Sequence, residues 1–148
     1  FGMVSMAALL VAGATAGAAD ELSVVCSAEQ DWCDLMAAAF EEENPDTDVL
    51  MVRKSTGETL AQIRAEAGNP KIDVWWGGTG DPHLIAAEEG LLQASGVDTS
   101  ELLGWAQNMS DISGGLTVGI YAGALGIAYN SEILAENDIA PLACWADL

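Results

Sequence analysis

The sequence predicts an α/β fold built on a parallel sheet, and three observations carry that prediction. Three short β-prone runs each end in a turn rich in Ser, Thr or Gly, and each turn opens a segment with helical spacing of apolar residues. A helix separates each run from the next, so the strands are expected to lie parallel with right-handed crossovers. All three turns then fall at the carboxyl ends of the strands, the edge at which open α/β sheets receive ligands.

Residues 1–19 carry no charge and read as an apolar stretch, Met6 to Val11, followed by small residues. Ala16-Gly17-Ala18-Ala19 before Asp20 has the pattern of a signal-peptidase site, so 1–19 is expected to be an export leader rather than a membrane span. The first βα unit combines a strand at 22–26 with a helix near 28–43. Ser27-Ala-Glu-Gln30 fits a capping box, and Trp32, Leu35, Met36, Ala39 and Phe40 share one helical face. The second unit has a strand at 48–53, a capping box Ser55-Thr-Gly-Glu58, and a helix near 56–67 with Leu60, Ile63 and Ala67 inward.

The third unit is the most distinctive. Val74-Trp75-Trp76 closes a strand at 72–76, Gly77-Gly78-Thr79-Gly80 forms the turn, and a helix is expected near 82–89. Asp81 would be its N-cap, Pro82 its first residue and Gly90 its stop. Beyond it, residues 100–106 suggest a short helix. Residues 117–129 form a β-prone run broken by Gly119, Gly123 and Gly126, and Asn130-Ser131 is expected to cap a helix at 132–136.

The net charge of −19, from 4 Lys and Arg against 23 Asp and Glu, argues against nucleic acid and anionic membrane surfaces as partners. Three cysteines, Cys26, Cys33 and Cys144, permit a disulfide in an exported chain. If Ser27 capped a straight helix, Cys26 and Cys33 would lie nearly two turns apart, which disfavours a direct bridge. Their spacing is not a zinc signature, and no cofactor is expected.

These stretches resemble a known family. Leu22-Ser-Val-Val-Cys-Ser-Ala-Glu-Gln30, Ser55-Thr-Gly-Glu-Thr-Leu-Ala-Gln-Ile-Arg-Ala-Glu66, Asp73-Val-Trp-Trp-Gly-Gly-Thr-Gly-Asp-Pro-His83 and Gly126-Ile-Ala-Tyr-Asn130 are similar to segments of the periplasmic solute-binding proteins of bacterial ABC importers. The branch they resemble most is the ferric-iron-binding-like one, which also includes relatives that bind phosphorylated sugars and phosphonates. The resemblance implies a type II periplasmic-binding fold, with 20–118 as the first lobe and 119–148 as the crossing segment and the start of a second lobe. It also implies a non-enzymatic, monomeric, periplasmic receptor whose partners are a small solute and an inner-membrane ABC permease.

Ferric-binding members use a His or Tyr after the first strand, whereas this junction reads Cys26-Ser-Ala-Glu-Gln-Asp31. Relatives that bind phosphorylated ligands use hydroxyls and backbone amides at such turns. A phosphorylated or carboxylate anion is therefore the expected solute, and ferric iron the alternative. The candidate contacts are Ser27, Ser55, Thr56, Gly57, Thr79, Gly80 and Tyr121, with Arg53-Lys54 supplying positive field beside the second turn. Ser55 and Glu58 could equally do no more than cap a helix. Two rivals of other classes are an exported hydrolase using Asp81 and His83, and an α/β interaction module whose caps only cap. The first lacks a Gly-x-Ser-x-Gly nucleophile motif and a second histidine.

Overall fold

A computed structural model describes residues 19–147; the leader expected over 1–19 thus lies, Ala19 apart, outside the described residues. Strands β1 (Asp20–Cys26), β2 (Thr47–Arg53) and β3 (Val74–Trp76) form a parallel sheet in the order β2-β1-β3. Helices α1 (Gln30–Glu43) and α2 (Thr56–Ala65) are the crossovers between them, and α3 (Gly80–Glu88) follows β3. Helices α4 (Gly104–Ile112) and α5 (Ser131–Glu136) follow, α4 starting four residues later than the sequence suggests, and a 3-10 turn over Trp145–Asp147 comes last among the described residues.

Register is what makes the sheet relevant to function. Cys26 pairs with Arg53 on one side and with Trp76 on the other, so all three strands end level. The ladder runs one step further, with the Lys54 N–H donating to the Cys26 carbonyl and the Ser27 N–H to the Trp76 carbonyl, at 3.0 and 2.8 Å. Three turns therefore leave the same edge at the same height.

Two expectations about the first unit are corrected. Ser27 does not cap α1: its N–H is still engaged with β3, the N-cap is Glu29, and no side chain caps the helix. Because α1 starts at Gln30, Cys33 falls in its first turn, close to the end of β1. Cys26 and Cys33 form a disulfide across 6.0 Å between their Cα atoms, the bridge that a helix starting at Ser27 would have disfavoured. Both are fully buried, and with Ala28 they form the core cluster against which Met51 and Trp76 pack.

The disulfide also sets the rotation of α1. With Cys33 facing the sheet, the inward stripe continues through Ala37 and Glu41, four residues apart each time. Glu41 accepts a hydrogen bond from the Val49 N–H of β2 at 2.8 Å, satisfying a donor on an edge strand. The apolar face read in the sequence, Trp32, Leu35, Met36, Ala39 and Phe40, is left exposed among the described residues.

The third unit is corrected as well. Gly77 and Gly78, at φ +77° and +92°, reverse the chain within two residues, so α3 begins at Gly80 with Thr79 as N-cap. Asp81 and Pro82 lie inside its first turn rather than at the cap and first position. Gly90, at φ +71°, stops the helix as expected, with the Leu91 N–H donating to the Ala86 carbonyl. Residues 117–129 form no strand among the described residues: a β-prone run becomes a strand only where a ladder partner lies beside it. Asn130 caps α5 as expected, accepting from the Glu132 and Ile133 N–H groups.

Candidate functional site

The three turns at the level edge do not merely face one direction; they touch. A Cβ placed on Gly78 would sit 2.1 Å from Thr56 Cγ2 and 2.8 Å from Ser27 Cβ, so only a residue without a side chain lets the turns meet. The Thr56 and Thr79 hydroxyls lie 3.3 Å apart, bridging the second and third turns. The Ser27 hydroxyl lies 3.4 Å from that of Thr59 and accepts a hydrogen bond from the Trp75 indole N–H at 3.0 Å, tying the first turn to α2 and to β3.

The residues singled out in the sequence therefore separate into groups. Two hydroxyl pairs, Thr56 with Thr79 and Ser27 with Thr59, meet around Gly78 and together make up a hydroxyl cluster. Tyr121 joins them from the far segment: its hydroxyl accepts from the Gly78 N–H at 2.6 Å and donates to the Gly78 carbonyl at 3.1 Å. Gly80 opens α3 and packs against Met109, while Gly57 lies in the first turn of α2 with open space around it. Ser55 is committed elsewhere. It accepts from the Glu58 N–H, and its own hydroxyl and amide both donate to the Glu58 carboxylate, completing the expected capping box.

The second turn gathers charges of both signs. The Glu58 carboxyl is held below its ordinary range first by its bonds to the Ser55 hydroxyl and amide, and then by the charges of Lys54 and Arg53. Both cations are also braces. Arg53 Nε donates to the Ala28 carbonyl at 2.7 Å, with its guanidinium 4.0 Å from the Glu29 carboxylate, and Lys54 Nζ donates to Gln62 Oε1. Arg53 thus ties the end of β2 to the first turn.

One contributor was missed in the sequence. Thr59 is fully buried one turn into α2, donates to the Ser55 carbonyl at 2.9 Å and faces Ser27. Its position four residues after the cap is the signal that could have found it, since a Thr there bonds back to the cap carbonyl. Trp75 and Trp76 are neighbours on a strand, so the sequence has them facing opposite ways, both as core by default and one of them able to line a cleft. They do face opposite ways: Trp76 packs on the disulfide cluster, and Trp75 stacks on the His83 ring at 3.8 Å between centroids.

His83 also contacts the Gly77 carbonyl through Nε2 at 2.9 Å, which requires the proton on that nitrogen. Burial holds its pKa below the usual imidazole range, partly offset by that hydrogen bond. Its folded pKa is depressed, so between that value and the unfolded one the unfolded chain binds the extra proton. The stability it contributes is complete above the unfolded pKa and is lost as pH falls below it. His83 is the single histidine in the sequence. Its proton NMR titration is therefore expected to show a midpoint under about 6.5, and the unfolding midpoint is expected to drop as pH falls from about 7.5 to about 5.5. His83→Gln should flatten that drop; an imidazole midpoint at or above the usual value would contradict the assignment. The side chain supports the turn from below, whereas Asp81 is exposed on α3, an arrangement that does not favour the hydrolase reading.

An open cavity of about 890 Å³ runs along the outer edge of β3, and its upper end reaches Gly78 and Tyr121. Most of its lining lies below the hydroxyl cluster, so the cluster, not the cavity, defines the site. Among the described residues no group of three His, Cys, Asp or Glu side chains could hold a metal ion, and no helix is long and apolar enough to cross a membrane.

No family model matches the chain. It is 36% identical over 145 residues to an uncharacterized protein of Haemophilus influenzae (strain ATCC 51907 / DSM 11121 / KW20 / Rd), a match covering 97% of this chain and 42% of that protein. Two solved structures are similar. The periplasmic binding protein P5PA has a TM-score of 0.78 and 29% identity over 86% of this chain and 41% of its own. The periplasmic binding protein AfuA from Actinobacillus pleuropneumoniae, with exogenous fructose-6-phosphate bound, has a TM-score of 0.78 and 36% identity over 86% of this chain and 40% of its own. The chain spans less than half the length of each of these proteins. Together these likenesses support a place in the periplasmic solute-binding protein superfamily, with the fold of one lobe of such a protein.

Proposed function

We propose that the chain is the greater part of one lobe of a periplasmic receptor that captures a small phosphorylated or carboxylate anion and delivers it to an ABC permease, without catalysis of its own. In this reading 1–19 is the export leader, 20–118 the lobe and 119–148 the crossing toward a second lobe. The observation that carries it is the meeting of three turns at Gly78, against which Ser27 and Thr56 both pack, each in a hydroxyl pair with Thr59 and Thr79 respectively. Helix N-termini and short-side-chain turns offer unspent donors to an anion, and α2 and α3 both begin here. The bound fructose 6-phosphate in AfuA supports the phosphorylated class. The resemblance also carries ferric iron, but the first junction offers hydroxyls rather than His or Tyr, so the anion is preferred.

Thr56→Val tests the site. It keeps the side-chain shape, leaves the Ser55–Glu58 capping box intact and removes one hydroxyl. A hydrogen bond to a charged group is worth about 1.5–3 kcal/mol, so anion affinity should fall roughly tenfold to a hundredfold. Calorimetry on the full-length protein, with fructose 6-phosphate and with whatever solute native mass spectrometry finds on the protein as isolated, checks this. Unchanged affinity would remove Thr56 from the site.

A further inference from the structure

We propose that Tyr121 clasps the third turn to the segment that leaves the lobe, coupling the position of Gly78 to the path of the chain beyond residue 121. The inference rests on the reading that 119–148 crosses toward a second lobe, and it gives one side chain a part at the start of that crossing.

A single phenol oxygen engages both polar groups of one glycine. The Tyr121 hydroxyl accepts from the Gly78 N–H at 2.6 Å and donates to the Gly78 carbonyl at 3.1 Å, 43 residues away in sequence. Gly78 stands at φ +92°, and an added Cβ there would strike both Thr56 and Ser27, so the clasp grips the point where the three turns meet. The ring is seated too. Its centroid lies 4.9 Å from that of Trp32, the neighbour of the disulfide-bonded Cys33.

The chain is anchored before Tyr121 and unattached after it. The buried Thr117 has its hydroxyl 3.1 Å from the Met109 carbonyl and 2.8 Å from the Ser113 hydroxyl, which pins the segment to the end of α4. Gly119 packs so closely on the same helix that a Cβ would stand 2.7 Å from Ala106 Cα. Among the described residues, 122–129 form no hydrogen bond and all but Ile127 are exposed. A Cβ on Gly123 or Gly126 would meet nothing within 4 Å. Tyr121 is the last attachment before this stretch. Its two hydrogen bonds are exposed to solvent, and such bonds contribute little net free energy, so the clasp can open without unfolding the lobe. Coupling through it is reciprocal: whatever shifts the third turn bears on the crossing, and whatever moves the crossing bears on the turn.

The test uses the full-length protein with spin labels on the free, exposed Cys144 and on a cysteine introduced by Glu88→Cys at the exposed end of α3. Pulsed paramagnetic resonance then reads the distance distribution between the lobe and the chain beyond the clasp. Tyr121→Phe keeps the ring on Trp32 and removes the hydroxyl. It should widen or shift that distribution and quicken hydrogen exchange of the Gly78 amide roughly tenfold. Tyr129→Phe, 44% exposed and without a hydrogen bond among the described residues, should change neither. Bound fructose 6-phosphate should narrow the wild-type distribution more than that of Tyr121→Phe, and equal narrowing in both would overturn the coupling. If this probe does not bind, the anion reading falls, and the comparison without it decides the clasp. Identical distributions in wild type and Tyr121→Phe, with the crossing seen in a full-length crystal structure, would overturn the clasp alone. Residues 122–148 packed back on the first lobe in that structure would overturn the crossing reading and the clasp together.

Discussion

Gly78→Ala is expected to destabilise the protein by roughly 2–5 kcal/mol and to abolish anion binding, because the added methyl enters occupied space at a backbone angle that L residues avoid. The Cβ would stand 2.1 Å from Thr56 and 2.8 Å from Ser27, at φ +92°. Relief requires the third turn to withdraw from the first and second, and that separation parts Thr79 from Thr56. Denaturant unfolding and calorimetry on the same preparation would show both losses together. Gly57→Ala is the matching control. Its Cβ meets nothing within 4 Å, so stability should change by no more than about 1 kcal/mol, in the stabilising direction if the backbone accepts the residue. A Gly78→Ala protein as stable as wild type would mean that the turns do not meet as described.

The second large effect concerns the disulfide. Replacing Cys26 and Cys33 together by alanine should cost about 2–3 kcal/mol, the value expected from chain entropy for a closed loop this short. The residues are seven apart in sequence and fully buried. The loss should reach the site as well, since Ser27 follows Cys26 directly and Trp32 precedes Cys33. Weaker anion binding is therefore expected alongside the lower unfolding midpoint. The free, exposed Cys144 serves as a control whose replacement should leave stability unaltered. Equal midpoints for the double variant and wild type would show that the bridge holds nothing together.

The parallel sheet was legible because each unit carried its own punctuation. Ser55 and Glu58 mark the start of α2 unaided, and the glycines of the third turn mark a reversal whatever surrounds them. The convergence of the turns follows from strand direction alone, so it too is legible in the alternation of strands and helices. What could not be read depended on two-residue shifts and on tertiary contacts. Ser27 looks like a cap in sequence, but its N–H is taken by Trp76, and this delays α1 until Gln30. That delay makes the Cys26–Cys33 bridge possible, and the bridge turns Cys33 inward and leaves the more apolar Trp32–Phe40 face exposed. Periodicity identifies an apolar stripe but not the direction it faces. Thr59 escaped notice, and which tryptophan faces the turns could not be read, because each has an ordinary structural explanation; only the meeting of Thr59 and Trp75 at Ser27 draws them to the site. Residues 117–129 read as strand-prone because Val, Ile and Tyr recur there, yet a ladder needs a partner, which no residue pattern within the segment supplies.

The most direct test of the anion site is a crystal structure of the full-length protein with fructose 6-phosphate, or with the solute that co-purifies. Phosphate or carboxylate oxygens within about 3.2 Å of the Ser27, Thr56 or Thr79 hydroxyls, or of the amides that open α2 and α3, are the expected result. A ligand bound with its anionic group away from these turns, the cluster still closed upon itself, would contradict it.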